Sequence, residues 1–214
     1  MDDGIDERGW PLPPKPWLYS ERIIDAMAAA AQIHARQKRK GTEIPYLSHL
    51  LGTCSIAFEY GATETEAIAA LFHDAIEDGL PTEAARATVY GFGDEVARIV
   101  EACTDGTAPK QAWRPRKEAY LASLANKDHS VLLVSASDKL HNARSIVRDR
   151  RGVGEVVWDR FKVQKSETLW YYRSLVTAYR TNPAHCPALI AELDRTVTEM
   201  ETLAEHTVRP GVPA

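Results

Sequence analysis

The stretch ALFHDAIEDG, Ala70 to Gly79, places His73, Asp74, Glu77 and Asp78 close together with no basic residue beside them. From Gly41 to Ala85 the chain carries eight acids and no Lys or Arg. A bound cation or bulk water has to answer that charge. Adjacent His73 and Asp74 differ by about 100° around a helix axis, so both reach one ion lying beside the helix, and Glu77 follows one turn after His73. Two ligands and a nearby carboxylate make an incomplete hydrolytic centre. A metal that must also hold water needs further protein ligands.

A second polar group lies in a very apolar setting. Asp138 follows Val131, Leu132, Leu133, Val134 and Ala136, which point all round a helix and predict burial on every side. A carboxylate there is costly unless paired or metal-bound. Asp138, His141, Asn142 and Ser145 fall at i, i+3, i+4 and i+7, one polar face. His49 sits among apolar neighbours in PYLSHLLGTC. Taken together, His49, His73, Asp74 and Asp138 offer two imidazoles and two carboxylates. That mixture suits Mn²⁺, Fe²⁺, Co²⁺ or Zn²⁺ better than Ca²⁺ or Mg²⁺. Plainer readings stand beside it. Ile68, Leu71, Phe72, Ala75 and Ile76 form an apolar stripe, which leaves His73, Asp74 and Glu77 on a wet helix face. Asp138 can be the centre of a buried hydrogen-bonded network. His49 and His34 can be satisfied core residues. Against the wet face, Glu77 and Asp78 occupy the helix C-terminus, where the dipole disfavours anions by roughly 0.3–1 kcal/mol each.

The elements that must position these residues are all helical. Ser20 is an N-cap for an Ala-rich helix to about Arg36. A basic loop, RQKRKGTEIP, leads to a helix from about Tyr46 to Tyr60 that stops at Gly61. Thr63 and Glu66 form a capping box opening a third helix, expected to run unbroken to Gly79 and Pro81. Helices follow near 82–90, 94–104 and 115–126, then from Ser130 to about Arg150 and from Glu155 to Arg180. Asn182 and Pro183 read as the cap and first residue of the last helix. The expected architecture is one all-α domain over 19–206, with a Pro-rich lead-in at 1–18 and a loose tail at 207–214.

At 214 residues and a formal net charge of −4, the composition is that of an ordinary globular chain. The charge argues against broad nucleic-acid or anionic-membrane binding. No apolar run approaches a membrane span, and the N-terminus lacks a secretory pattern. Three scattered cysteines read as reduced, so a cytoplasmic protein is expected. Trp158, Phe161, Trp170, Tyr171 and Tyr172 read as core packing rather than as a base-stacking platform.

The order His49, His73-Asp74, Asp138 resembles the H…HD…D signature of the HD phosphohydrolase superfamily. The blocks HARQKRKGTEIPYLSHL, ALFHDAIED, GFGDEVARIVEACTDG and SDKLHNARSI are similar, in order, to the hydrolase domain of RelA/SpoT homologues. The length resembles a stand-alone small alarmone hydrolase with two extra C-terminal helices. The resemblance implies Mn²⁺ on His49, His73, Asp74 and Asp138, and a catalytic pair at Glu77 and Asp78. It implies substrate contacts at Arg39, Lys40, Asn142 and Lys162. It implies removal of the 3′-diphosphate of (p)ppGpp, giving pyrophosphate and GDP or GTP. Arg114, Arg116 and Lys117 are a second group able to frame a polyanion, while Arg36 and Lys38 read as solvated. His49 precedes Leu50 where the family has proline, and the loop from Lys40 to Tyr46 is one residue longer. Two other functions share the pattern. One is a phosphohydrolase of adenosine alarmones, or of another phosphorylated nucleotide such as NADPH. The other is a nucleotide-sensing module without catalysis.

Overall fold

The structure, a computed structural model, describes residues 20–78, 82–104 and 112–205, with the side chains of Glu77, Asp78 and Thr82 outside the description. The lead-in at 1–18, the Gly79–Pro81 stop and the tail at 207–214 lie outside the described residues. The order is α1 (Glu21–Ile33), α2 (Leu47–Glu59), α3 (Glu64–Phe72), α4 (Ala75–Asp78), α5 (Thr82–Gly91), α6 (Asp94–Cys103), α7 (Trp113–Ser123), α8 (His129–Val153), α9 (Lys165–Thr181) and α10 (Pro187–Glu205). Short 3-10 turns occupy Leu124–Asn126 and Gly154–Arg160. The described residues contain no strand, only an isolated antiparallel bridge between Lys38 and Pro45.

Local chemistry sets the helix starts. The Ser20 side chain accepts from Arg22 N, and Thr63 and Glu66 complete a reciprocal capping box. Asp128 caps α8 by accepting from Val131 N. Gly61, at φ 88°, turns the chain after α2 in a conformation that favours glycine.

α8 is the axis of the molecule. Its 25 residues span roughly 37 Å. Val131 and Val134 join an apolar cluster built from α1 through α6. Leu132, Leu133, Ala136 and Leu140 join a second cluster with α7, α9 and α10. Val131 to Asp138 is buried on every side, as its apolar run predicts. Trp158, Tyr171 and Tyr172 belong to the second cluster, with Phe161 and Trp170 packed against it.

Four expectations need correction. α1 ends at Ile33 rather than Arg36, because His34 turns to meet Gln37 and stack on Tyr46. The third helix is not continuous. It ends at Phe72, and His73 Nδ1 donates to Ala70 O at 2.8 Å, the carbonyl that residue 74 would take in an unbroken helix. The expected 155–180 helix is a 3-10 turn, an extended break at Phe161 and Gln164, and then α9. That break lets Val157 and Trp158 bury against α8 while Arg160 crosses Gly41. Asn182 and Pro183 do not open the last helix, which starts with Pro187 at its first position. Asn182 instead donates through Nδ2 to the carbonyls of Leu124, Ala125 and Lys127.

Candidate metal centre

Three elements converge on one point. His49 comes from the first turn of α2, His73 and Asp74 from the break after α3, and Asp138 from the middle of α8. His49 Nε2 lies 3.1 Å from His73 Nε2, 3.2 Å from Asp138 Oδ1 and 3.5 Å from Asp74 Oδ2. His73 Nε2 lies 3.0 Å from Asp74 Oδ2 and 3.6 Å from Asp138 Oδ1. Donors held at about 2.1 Å from a common centre stand about 3.0 Å apart at right angles and about 3.4 Å apart at tetrahedral angles. The five separations match that spacing. His73 spends its Nδ1 proton on Ala70 O, so Nε2 is the nitrogen that faces the cluster. The donor set therefore fits a divalent transition metal.

The wet-face reading fails for α3. Glu66 through Phe72 are buried, and His73 is 4% exposed. The negative end of the α3 dipole falls at His73, so the cluster rather than Glu77 and Asp78 lies at the helix C-terminus. Burial opposes charge on all three titrating ligands that shift, and their neighbours outweigh it. Asp74 and Asp138 lift the His73 imidazole well above its ordinary value. His73 and His49 hold the Asp74 carboxyl well below the usual carboxylate range. Lys139, with the two imidazoles, does the same for Asp138.

Supporting contacts surround the ligands. Tyr46 OH donates to Asp74 Oδ2 at 2.5 Å. Asn142 Nδ2 donates to Asp138 Oδ1 and Lys139 Nζ to Asp138 Oδ2, both at 2.5 Å. His141 Nδ1 lies 2.8 Å from His49 Nδ1. Burial first, then His49 and Arg39, push the His141 imidazole down to about 3.

A cavity of about 200 Å³ opens on His73, Asp74 and Asp138, with Arg39, Lys117 and Lys139 in its wall. It adjoins a second cavity of about 400 Å³ that shares those three cations and adds Lys38, Lys40, Arg148 and Arg160, with Tyr171, Tyr172 and Phe161 as apolar surface. Arg39 Nη2 donates to Asn142 Oδ1 at 2.5 Å, and its guanidinium lies 5.5 Å from the Tyr46 ring centre. Of the four residues expected to contact substrate, Arg39, Lys40 and Asn142 line this space. Lys162 is exposed, near enough to Lys40 to add to the burial that lowers the Lys40 ammonium. Lys117 lines both cavities, whereas Arg114 lies over Trp170 and pairs with Glu118 and Glu167. Lys38 faces the second cavity as well as pairing with Glu43. Glu77 and Asp78 belong to α4, directly after Asp74, and their side chains lie outside the described ones.

Sequence reasoning missed Tyr46 and Lys139. Tyr46 stands three residues before His49, on the same side of the chain's turn into α2, and Lys139 directly follows Asp138. Those spacings were the available signals.

An all-helical chain with paired HD residues and a second buried aspartate defines a class. The HD-domain family matches residues 26–161, and the chain belongs to that family. Hydrolases of this family work with divalent metals, and a His/His/Asp donor trio is present here. Among relatives, guanosine-3′,5′-bis(diphosphate) 3′-pyrophosphohydrolase MESH1 of Danio rerio is 36% identical over 129 residues, 59% of this chain and 69% of that one. A probable GTP pyrophosphokinase of Mycobacterium leprae is 34% identical over 124 residues, 56% of this chain but 15% of that longer protein. A solved structure described as a metazoan ortholog of SpoT that hydrolyzes ppGpp superposes with a TM-score of 0.68 over 85% of this chain and 96% of its own, at 24% identity. A Listeria monocytogenes structure gives a TM-score of 0.61 at 26% identity, covering 74% and 99%. The family match stops before α9 and α10, the two expected additional helices.

Proposed function

We propose that this chain is a Mn²⁺-dependent hydrolase that removes the 3′-diphosphate of (p)ppGpp, releasing pyrophosphate and GDP or GTP. One observation carries the reading. A four-donor cluster opens onto a cavity walled by Arg39, Lys117 and Lys139, so an acidic metal centre meets a cationic receptor for a polyanion. The Danio rerio relative, whose name states this activity, supports the choice of substrate.

His49, His73, Asp74 and Asp138 would hold the metal. Bound there, it supplies a lowered water pKa and a polarised phosphoryl oxygen. Lys139 and Lys117 face the space next to Asp138 and neutralise the diphosphate as the bond from O3′ to phosphorus breaks. Arg39, held by Asn142 and laid near Tyr46, is placed to meet the nucleoside in the larger cavity, with Lys40 in its wall and Lys162 close to Lys40. Glu77 and Asp78, one helical turn past the ligands, take the roles of orienting the attacking water and carrying its proton. The partner in this reading is a small phosphorylated nucleotide rather than nucleic acid. No described helix is long and apolar enough to cross a membrane, and all three cysteines are free. A cytoplasmic setting belongs to the same reading.

The test is release of pyrophosphate from ppGpp and pppApp, and of inorganic phosphate from NADPH, by the purified chain with and without Mn²⁺. Pyrophosphate from ppGpp, dependent on Mn²⁺, is expected. Turnover of only the adenosine compound moves the assignment to adenosine alarmones. No turnover of any, with metal bound, leaves a sensing module.

A further inference from the structure

Imidazoles that bind metal use their second nitrogen to hold the ring in place. His73 does so through Ala70 O. At His49 Nδ1 the partner is another imidazole, His141 Nδ1 at 2.8 Å, with Thr53 Oγ1 more distant at 3.5 Å. Two ring nitrogens at that separation share one proton. His49 Nε2 is the nitrogen that faces His73, Asp74 and Asp138, so it has to present its lone pair. The His49 proton then sits on Nδ1, His141 Nδ1 accepts it, and the proton of His141 sits on Nε2.

The sequence makes room for this arrangement. Gly52 lies in the interior of α2, where glycine is among the least favoured residues. A Cβ at Gly52 would stand 2.2 Å from His141 Cδ2 and 2.3 Å from Nε2. The His141 ring fills the notch that the missing side chain leaves. The two rings lie 4.8 Å apart between centres, tilted by 49°.

We propose that His141 is the positioning residue for His49: its Nδ1 accepts the His49 Nδ1–H and fixes the tautomer and ring plane that aim Nε2 at the metal, with Gly52 as the notch that admits it. The inference rests on the metal-centre reading. It gives a function to the residue of the α8 polar face that neither binds metal in this reading nor lines either cavity, since Asn142 and Ser145 both line the larger one.

The test is Mn²⁺ titration of the purified full chain, metal-stripped, in four forms beside wild type: His141→Phe, His141→Asn, Gly52→Ala, and Gly52→Ala with His141→Asn. Thermal melting of each metal-free form is measured alongside. His141→Phe keeps the ring volume without the acceptor, and a loss of roughly 10–100-fold in Mn²⁺ affinity is expected. His141→Asn places Oδ1 where Nδ1 stood, and most of the affinity should return while both variants melt alike without metal. Gly52→Ala should weaken Mn²⁺ binding when His141 is present and not when Asn replaces it. Wild-type affinity in His141→Phe overturns the proposal, as does an equal loss in Phe and Asn forms. If His141→Phe does not fold, the two Gly52→Ala forms decide, and equal affinity changes in both backgrounds overturn it. A wild type that takes up no Mn²⁺ removes the metal-centre reading itself and this one with it. Uptake by wild type together with uptake of equal affinity by His141→Phe removes only this one.

Discussion

Asp138 meets a donor at each oxygen, Asn142 at Oδ1 and Lys139 at Oδ2. Those contacts fix the plane of the carboxylate and leave Oδ1 beside both imidazoles. Asp138→Asn keeps that shape and removes the charge. Elemental analysis of the variant should show most of its metal lost, and turnover should fall with it. Full metal occupancy with full turnover would make Asp138 a structural polar residue. Glu77→Gln tests a different role. If Glu77 handles the attacking water, the variant keeps its metal and binds substrate while single-turnover chemistry falls by roughly 10²–10⁴. Near wild-type chemistry with metal bound would return Glu77 to solvent. The four donors are legible in the sequence because each is a costly residue in an apolar setting or an unneutralised acidic run. Tyr46 and Lys139 are not. A tyrosine before a helix and a lysine within one are ordinary, and the Tyr46 contact to Asp74 exists only because segments 28 residues apart fold together.

At the scale of elements, caps and glycine stops are local chemistry, and Ser20, Thr63–Glu66 and Gly61 act where the sequence places them. The break at His73 is not local in that sense. The pattern from Ile68 to Ile76 is good helix, and at the end of α3 the His73 side chain takes the Ala70 carbonyl and turns its other nitrogen to His49. The same holds at Asn182, where a cap-like sequence serves a distant purpose. Its Nδ2 ties down the carbonyls of Leu124, Ala125 and Lys127 at the entry to α8, and its Oδ1 accepts from Ala184 N. Asn182 is 4% exposed. Asn182→Ala leaves buried groups without a donor, at about 1–3 kcal/mol for an unsatisfied group. Urea denaturation should show a lower midpoint by that measure with an unchanged slope. An unshifted midpoint would mean that water replaces the amide there.

The whole molecule is two apolar clusters that share α8, with the ligands at the side where the first cluster meets it. His49 belongs to α2, His73 and Asp74 follow the end of α3, and Asp138 belongs to α8, so an ion bound by all four would tie three elements together. Such a site does not exist in the unfolded chain, and binding energy there becomes folding energy. At a free Mn²⁺ concentration a hundred times the dissociation constant, the added stability is about 2.7 kcal/mol. For a chain of this size each kcal/mol moves the melting temperature by about 2–4 °C, so a rise of roughly 5–11 °C is expected. Calorimetry of the metal-stripped protein with increasing Mn²⁺ measures it directly. The rise should grow with the logarithm of Mn²⁺ concentration and should be largely absent in Asp138→Asn. A wild-type melting temperature that ignores Mn²⁺, at concentrations where turnover is saturated, would show that the ion does not join these three helices. An equal rise in Asp138→Asn would place the stabilising ion elsewhere on the surface.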